Sequence, residues 1–141
     1  MGWSDYNPLN RTKGKGTASN ILVVDDDSEI RDMLKQLLDF AGYTITLAGN
    51  GKEALEKLEE QDFQLMVTDI VMPDADGLEV IMNARKIRPE LQIIAMSGGG
   101  HGSPDNYLKL ASAFGADRAL LKPFTPQELL DAVQNILTHQ G

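Results

Sequence analysis

Four short polar stretches of this chain each follow or close an apolar run that is typical of a β-strand. They are Asp25-Asp26-Asp27, Asp69, Ser97-Gly98 and Lys122-Pro123. Because the carboxyl ends of parallel strands meet at one edge of an α/β sheet, we expect these groups to lie close together. Carboxylates, a hydroxyl and an ammonium gathered at that edge indicate a site that does chemistry.

The three consecutive aspartates place like charges side by side directly after an apolar strand. They would repel one another unless a cation intervened, and Asp69 would add a further carboxylate from the neighbouring strand. All of these donors are oxygens, which suits Mg²⁺, or Mn²⁺ as a substitute, and argues against zinc or copper. The alternative interpretation is that the aspartates only cap the first helix.

Lys122 closes the last strand and precedes Pro123, so its long side chain can reach back over the strand ends. There it would serve as a counter-charge to the carboxylates or as a clamp on a phosphoryl oxygen. Ser97 ends the fourth strand, and the glycines after it leave its hydroxyl free to donate to a ligand. The alternatives are a solvated lysine and an ordinary strand-end serine.

The elements that position these groups follow from a βα alternation that begins at Asn20. Short β-branched runs alternate with segments of helical period, which predicts an α/β fold of five βα units around a parallel sheet. The predicted strands are Ile21–Val24, Thr44–Ala48, Leu65–Thr68, Gln92–Met96 and Arg118–Leu121. The first and third are almost wholly apolar, as central strands buried on both faces should be.

Capping residues mark the ends of two predicted helices. Ser28 is the expected N-cap of the first helix, and Gly42 predicts where that helix ends. At the start of the last helix, Thr125 and Glu128 form a predicted capping box around Pro126.

Composition limits the class of protein. The 141 residues favour one domain, and the absence of cysteine excludes disulfides and thiolate zinc sites. Neither a membrane-spanning run nor a secretory signal is recognisable, so a cytoplasmic protein is expected.

We expect residues 1–19 to be a disordered tail before a domain at 20–141. Beyond the tail, 10 basic residues face 20 acidic ones, which disfavours direct nucleic-acid binding.

Taken together, the motifs resemble the signatures of response regulator receiver domains, including single-domain regulators of the chemotaxis type. In chain order they are Leu22–Asp27, Val67–Pro73, Met96–Gly98 and Leu121–Phe124. The resemblance extends from Asn20 to about His139. It implies a flavodoxin-like (βα)5 fold with a doubly wound, five-stranded parallel sheet of order 2-1-3-4-5.

The resemblance also implies a role for each site residue in a two-component phosphorelay. Asp69 would accept a phosphoryl group, with Lys122 and Ser97 completing the catalytic site. The implied ligands of Mg²⁺ are Asp25, Asp26, Asp69 and the backbone carbonyl of Val71. The domain would catalyse its own phosphorylation and dephosphorylation without being a conventional enzyme. The implied partners are a sensor histidine kinase or histidine phosphotransfer protein and an unknown downstream protein.

Two features depart from the family pattern and bear on signalling, which passes to the surface of the fourth and fifth helices and the fifth strand. Ala119 stands where the fifth strand commonly has a tyrosine or phenylalanine, so an aromatic side chain cannot couple to the movement of Ser97. The Gly98–Asp105 connection is long and rich in glycine. We expect its ordering on phosphorylation to transmit the signal instead.

Two other functions compete with this interpretation. Mg²⁺-dependent phosphatases of the haloacid dehalogenase type also use a strand-end aspartate, but they usually need a second aspartate where this chain has Val71. A receiver-like module that only docks a partner is the stronger rival, because the aromatic residue is missing at Ala119. The presence of all four charged site residues favours phosphorylation, since docking needs none of them. Arg31, Asp32 and Lys35, expected to face solvent on the first helix, are candidate kinase contacts.

Overall fold

Strand and helix alternate along the chain in the computed structural model, which describes residues 19–70, 77–97, 109, 112–113 and 115–138. The strands are β1 (Asn20–Val24), β2 (Thr44–Ala48), β3 (Leu65–Asp69), β4 (Gln92–Ser97) and β5 (Arg118–Leu121). The helices are α1 (Ser28–Phe40), α2 (Gly51–Glu60), α3 (Gly77–Ile87) and α4 (Pro126–Thr138). Each predicted strand therefore matches an observed one to within one residue at either end.

All neighbouring strands pair in parallel, in the order β2-β1-β3-β4-β5. This confirms the predicted doubly wound sheet. Because β1 lies between β2 and β3, the chain winds in opposite directions from it, and a crevice opens at the carboxyl ends of β1 and β3. Asp25 directly follows β1 and Asp69 ends β3, so both lie at this crevice.

The sheet separates two hydrophobic layers. Helices α2 and α3 cover the face that carries Leu22, Val24 and Met66, whereas α1 and α4 cover the face that carries Ile21 and Val23. The side chains of β1 from Ile21 to Val24 are fully buried, and every residue of β3 is buried. Central strands enclosed on both faces give a rigid base to the site at their carboxyl ends.

Helix α1 begins one residue earlier than expected. The carboxylate of Asp27 accepts a hydrogen bond from the Glu29 N–H at 2.9 Å, and the Asp27 backbone is extended, with φ −88° and ψ 113°. Ser28 is already helical, so the prediction that it is the N-cap is wrong. Gly42 follows the helix with φ 100°, a conformation that favours glycine, and α1 ends as predicted.

The capping box of α4 is confirmed. The Glu128 N–H donates to the Thr125 hydroxyl at 3.0 Å, and the Thr125 N–H donates to the Glu128 carboxylate at 2.7 Å. Pro126 occupies the first position of this helix, where its missing N–H costs nothing.

Some predicted features lie outside the described residues. These are the tail up to residue 18, the backbone carbonyl of Val71, the Gly98–Asp105 connection and most of the helix expected between β4 and β5, so that α4 corresponds to the predicted fifth helix. Within the described ranges, no helix is long and apolar enough to span a membrane.

Candidate functional site

The turn from β1 into α1 presents the first carboxylate of the site. Asp25 is 1% exposed, and its N–H still donates to the Ala48 carbonyl in the manner of the sheet, at 3.2 Å. Its Oδ1 accepts a hydrogen bond from the Asp27 N–H at 2.9 Å. This bond turns the chain sharply at the strand end, because a carboxylate that accepts from the backbone two residues on replaces a turn bond. Oδ2 is left facing the crevice.

Lys122 brings a cation to the same crevice from the far side of the sheet. Its N–H donates to the carbonyl of Ser97 at 2.7 Å, which fixes the lysine backbone against the end of β4. Its Nζ lies 3.1 Å from Oδ2 of Asp69 and 3.3 Å from Oδ2 of Asp25. The side chain is 19% exposed and does reach back over the strand ends, so it is not a solvated surface lysine.

Three carboxylates form a cluster that can hold a cation. Asp25, Asp26 and Asp69 each place one oxygen within 4.8 Å of the others; the first and third are buried, and Asp26 is exposed. Opposite ligands of one Mg²⁺ ion are roughly 4 Å apart, so small side-chain movements would let all three coordinate it. The donors are all hard oxygens, which fits Mg²⁺ or Mn²⁺. Asp27 stands apart, because its carboxylate caps α1.

The electrostatics of the site favour a bound cation. Burial raises the pKa of Asp25, and the nearby charge of Asp69 adds to that effect, although the Asp27 N–H and Lys122 oppose it. Burial lowers the pKa of Lys122, but the attraction of Asp69 and Asp25 outweighs it, and the pKa is raised. Lys122 therefore stays protonated, and one ammonium faces two buried carboxylates and an exposed one.

Ser97 contributes a hydroxyl at the end of β4. The residue is fully buried, and its Oγ has no hydrogen-bond partner among the described residues. The end of β4 adjoins the end of β3, since the Ile70 N–H donates to the Met96 carbonyl at 3.0 Å. A buried hydroxyl without a partner is uncommon and costs free energy, which an incoming acceptor group could recover.

An apolar groove borders the site on the side of α1. Its volume is about 380 Å³, and the residues that line it are Ile30, Met33, Lys122, Pro123 and Phe124. Met33 is 51% exposed there. A larger cleft of about 570 Å³ between the ends of α2 and α3 includes Arg88, whose guanidinium is already bonded to the carbonyl of Leu58 and the carboxylate of Asp62.

Two residues next to the site were not recognised from the sequence. Arg31 is half-buried instead of solvent-facing, because its Nη1 donates to the carbonyl oxygen of Asp25 at 2.6 Å. Gly77 begins α3 against the backbone of Ile70, the residue that follows Asp69. The only sequence signals are an arginine one turn into a helix after a strand end and a glycine at a helix start, and neither specifies these contacts.

Comparison with known proteins agrees with this geometry. The family model of the response regulator receiver domain matches residues 21–134. The response regulator receiver protein CpdR of Brucella abortus is 36% identical over 119 residues, which are 83% of this chain and 95% of that protein. A receiver domain protein of Methanospirillum hungatei has a crystal structure with a TM-score of 0.81 and 36% identity, covering 88% of this chain and 97% of that one.

A further solved structure is similar in fold and carries a modification. It is a response regulator protein from Burkholderia pseudomallei with a phosphorylated aspartic acid, calcium ion and citrate; its TM-score is 0.74 at 28% identity, covering 86% of this chain and 71% of that one. Several curated relatives are longer, and the chain spans between 24% and 51% of their lengths. From the family match, the sheet order and the strand-end cluster, the chain belongs to the response regulator receiver domain family.

Proposed function

We propose that this receiver domain is a phosphoacceptor in a two-component phosphorelay, with Asp69 as the residue that takes the phosphoryl group. The observation that carries the proposal is the Lys122 ammonium, which lies within 3.3 Å of both the Asp25 and the Asp69 carboxylates at the strand edge. A surface used only for docking would not need these charges together. The phosphorylated aspartic acid of the Burkholderia structure supports the same chemistry in a relative.

The donor would be a phosphohistidine on a sensor histidine kinase or a histidine phosphotransfer protein. A carboxylate oxygen of Asp69 attacks the phosphorus while the phosphorus–nitrogen bond breaks. The imidazole leaves with the electron pair of that bond, and its other ring nitrogen keeps a proton. The phosphoryl group is later removed by hydrolysis. A water oxygen attacks the phosphorus, and the bond between phosphorus and the Asp69 oxygen breaks to give the carboxylate and inorganic phosphate, which keeps the protons of the water.

The main obstacle to transfer is repulsion between the Asp69 carboxylate and the incoming phosphoryl oxygens. Lys122 reduces it, because its ammonium already lies 3.1 Å from Asp69 and can donate to a phosphoryl oxygen. Asp25, Asp26, Asp69 and the Val71 carbonyl would hold Mg²⁺. When bound, this ion neutralises further negative charge on the transferring group.

Ser97 would couple phosphorylation of Asp69 to the conformational change that a downstream protein recognises. Its buried hydroxyl, which has no partner among the described residues, can donate to a phosphoryl oxygen on Asp69, which would draw the end of β4 toward the site. Ala119 on β5 carries no aromatic ring, so the change would pass through the Gly98–Asp105 connection to the surface that includes β5 and α4. A downstream protein would read that surface.

The groove beside Lys122 is where we expect the donor protein to dock, because a donor must cover the site rim to bring phosphorus to Asp69. Met33→Asp should then slow transfer from a phosphorylated histidine kinase or phosphotransfer protein while leaving the reaction with acetyl phosphate unchanged. Phe40→Asp is the matched control, since Phe40 is 82% exposed on the same helix, about 10 Å further along it. Equal effects of the two variants would contradict this docking site.

Intact-mass analysis after incubation with acetyl phosphate tests the proposal, with and without Mg²⁺, on the native chain and on Asp69→Asn. We expect one phosphoryl adduct that requires Mg²⁺ and is lost in the variant. If no adduct appears and no metal-dependent beryllofluoride complex forms, the proposal is wrong, and a docking module that works without phosphorylation becomes the better interpretation. The beryllofluoride arm separates this outcome from rapid turnover of the adduct.

A further inference from the structure

We propose that Arg31 is a positioning residue for the metal site, an inference that rests on the function proposed above. Its Nη1 donates to the carbonyl oxygen of Asp25 at 2.6 Å. That carbonyl belongs to the peptide unit that joins Asp25 to Asp26, which are two of the proposed Mg²⁺ ligands. Holding this one peptide plane constrains the backbone of both residues, and with it the directions in which their side chains leave the chain.

Arg31 is itself held in place from a third element. A Cβ atom added at Gly49, in the turn between β2 and α2, would lie 3.1 Å from Nη1 of Arg31 and 3.5 Å from its Cζ. The guanidinium thus packs against that turn while it bonds to the end of β1 and belongs to α1. Arg31 connects three elements at the point where the acidic cluster leaves the sheet.

The remaining bonds of the β1–α1 turn engage groups other than the Asp25 carbonyl. The Asp25 side chain accepts from the Asp27 N–H, and the Asp27 side chain accepts from the Glu29 N–H. The first bond closes the turn around this peptide unit and the second caps α1, but neither contacts the Asp25 carbonyl. In the part of the chain that the structure describes, Arg31 supplies the side-chain hydrogen bond to the Asp25 carbonyl. Loss of this bond should loosen the Asp25–Asp26 peptide unit, and with it the exposed carboxylate of Asp26.

Two possible roles of Arg31 predict opposite changes in Mg²⁺ affinity when its side chain is removed. If Arg31 acted only as a nearby cation, its loss would strengthen Mg²⁺ binding, because a repulsive charge would be gone. If it orients the ligands, its loss weakens binding, and partners that orient metal ligands typically contribute about 10- to 100-fold in affinity. The guanidinium bonds to a backbone carbonyl and not to a carboxylate, so we expect the positional effect to dominate.

The test is Mg²⁺ affinity of the full chain, measured by isothermal titration calorimetry. Arg31→Ala should raise the dissociation constant about tenfold or more. Arg31→Lys should restore little of this loss, because an ammonium lacks the planar guanidinium that packs against the turn at Gly49. Gly49→Ala should raise the dissociation constant less than Arg31→Ala does, because the added methyl group only displaces the guanidinium. It introduces no backbone strain, since Gly49 does not have a positive φ. Arg118→Ala, an exposed arginine at the opposite edge of the sheet, removes the same charge and should change nothing.

Two further readouts separate orientation from a general loss of structure. Without metal, hydrogen exchange at the Asp27 and Glu29 amides should accelerate in Arg31→Ala while the β3 amides keep their protection. At saturating Mg²⁺, the rate of phosphorylation by acetyl phosphate should return to the native value. Unchanged or tighter Mg²⁺ binding in Arg31→Ala would overturn the inference alone, whereas a native chain that binds no Mg²⁺ would overturn the proposed function as well.

Discussion

The ammonium of Lys122 lies 3.1 Å from Oδ2 of Asp69, and the same nitrogen lies 3.3 Å from Oδ2 of Asp25. One cation is therefore shared by two buried carboxylates that come from different strands. Burial opposes the charge on Lys122, yet the attraction of both carboxylates outweighs it and raises the lysine pKa. The site is thus held together before any ligand arrives, by a charge that the proposed reaction also needs.

Replacing Lys122 should lower the stability of the metal-free protein but strengthen Mg²⁺ binding. In Lys122→Ala the metal-free protein should lose roughly 1 to 3 kcal/mol, less than for a fully enclosed pair because the ammonium is 19% exposed. Mg²⁺ should restore most of this loss and bind more tightly than in the native chain. Urea unfolding with and without Mg²⁺ measures both effects, and equal losses in the two conditions would contradict the prediction. Lys35→Ala, which breaks an exposed pair with Asp39, should cost about 0.5 kcal/mol or less.

Lys122→Ala should also allow phosphorylation of Asp69 without the conformational change that normally follows it. The variant should still form the acyl phosphate on Asp69, more slowly, but the change in hydrogen exchange along β5 that follows beryllofluoride binding should be lost. A native response in this variant would remove Lys122 from the switch.

The buried carboxyl of Asp25 predicts a pH dependence of stability. Burial raises its pKa above the ordinary 3.8. A raised folded-state pKa means that the stabilising contribution is fully present below the unfolded value and is lost as the pH rises through the folded one. Above the folded-state pKa, the ionised Asp25 therefore costs stability.

Asp25→Asn should consequently be more stable than the native chain at about pH 7 without metal, and this difference should narrow as the pH falls toward about 4. Urea unfolding across that range measures it. The same variant should lose Mg²⁺ binding by about tenfold or more, because it removes a ligand. A difference that stays constant with pH would contradict the assignment of the cost to the Asp25 charge.

An alanine substitution at the start of α3 should change stability in the direction opposite to that expected from helix propensity. Replacing a helical glycine by alanine ordinarily stabilises a helix by up to about 1 kcal/mol. At Gly77, however, a Cβ atom would lie 2.2 Å from the Cα of Ile70 and 2.6 Å from its carbonyl carbon and oxygen. Gly77→Ala should therefore destabilise the protein by about 3 kcal/mol. Because Ile70 follows Asp69 directly, phosphorylation should slow as well.

Urea unfolding and the acetyl phosphate reaction measure these two consequences of Gly77→Ala. Gly49→Ala is the control for stability, since the nearest neighbours of its Cβ would be the ends of the Arg31 and Glu53 side chains and not backbone. It should change the free energy of unfolding by less than about 1 kcal/mol. Similar stability of the two variants would show that the α3 helix can move away from Ile70.

The sequence predicted the parts of the molecule that local pattern determines. The almost wholly apolar runs of β1 and β3 indicate strands buried on both faces, and the four motifs fall at strand ends, so the meeting of Asp25, Asp69 and Lys122 could be expected. The strand order followed from the resemblance to receiver domains. Parallel topology converts distant sequence positions into one edge.

The directions of individual side chains could not be predicted from local sequence pattern. The helical period alone places Arg31 on the outer side of α1, but a long side chain near a helix start can fold back to a carbonyl at the strand end, and no periodicity reports this. Asp27 and Ser28 are both good N-caps, and the choice depends on where the Asp25 turn leaves the backbone. The close approach of Gly77 to Ile70 depends on how α3 packs, which is a tertiary property.

Removal of two buried hydroxyls on neighbouring strands should have different effects on stability. The Ser97 Oγ has no partner among the described residues, so Ser97→Ala should leave stability unchanged or raise it by about 1 kcal/mol. The Thr68 hydroxyl donates to the Asp69 carbonyl at 3.1 Å, so Thr68→Val should cost about 1 kcal/mol. Urea unfolding of both variants without metal measures the contrast. A loss of stability in Ser97→Ala would mean that its hydroxyl is already bonded.

The same Ser97→Ala variant tests whether this hydroxyl transmits the signal. Asp69, Lys122 and the acidic cluster are untouched, so acetyl phosphate should still produce the Mg²⁺-dependent adduct. The hydroxyl that would donate to the phosphoryl group is gone, so the end of β4 has no new partner to draw it inward. Hydrogen exchange along β4 and β5 should then be the same with and without beryllofluoride, whereas the native chain changes. Ser97→Thr, which keeps the hydroxyl, should retain the change, and a native response in Ser97→Ala would assign the coupling to Lys122 alone.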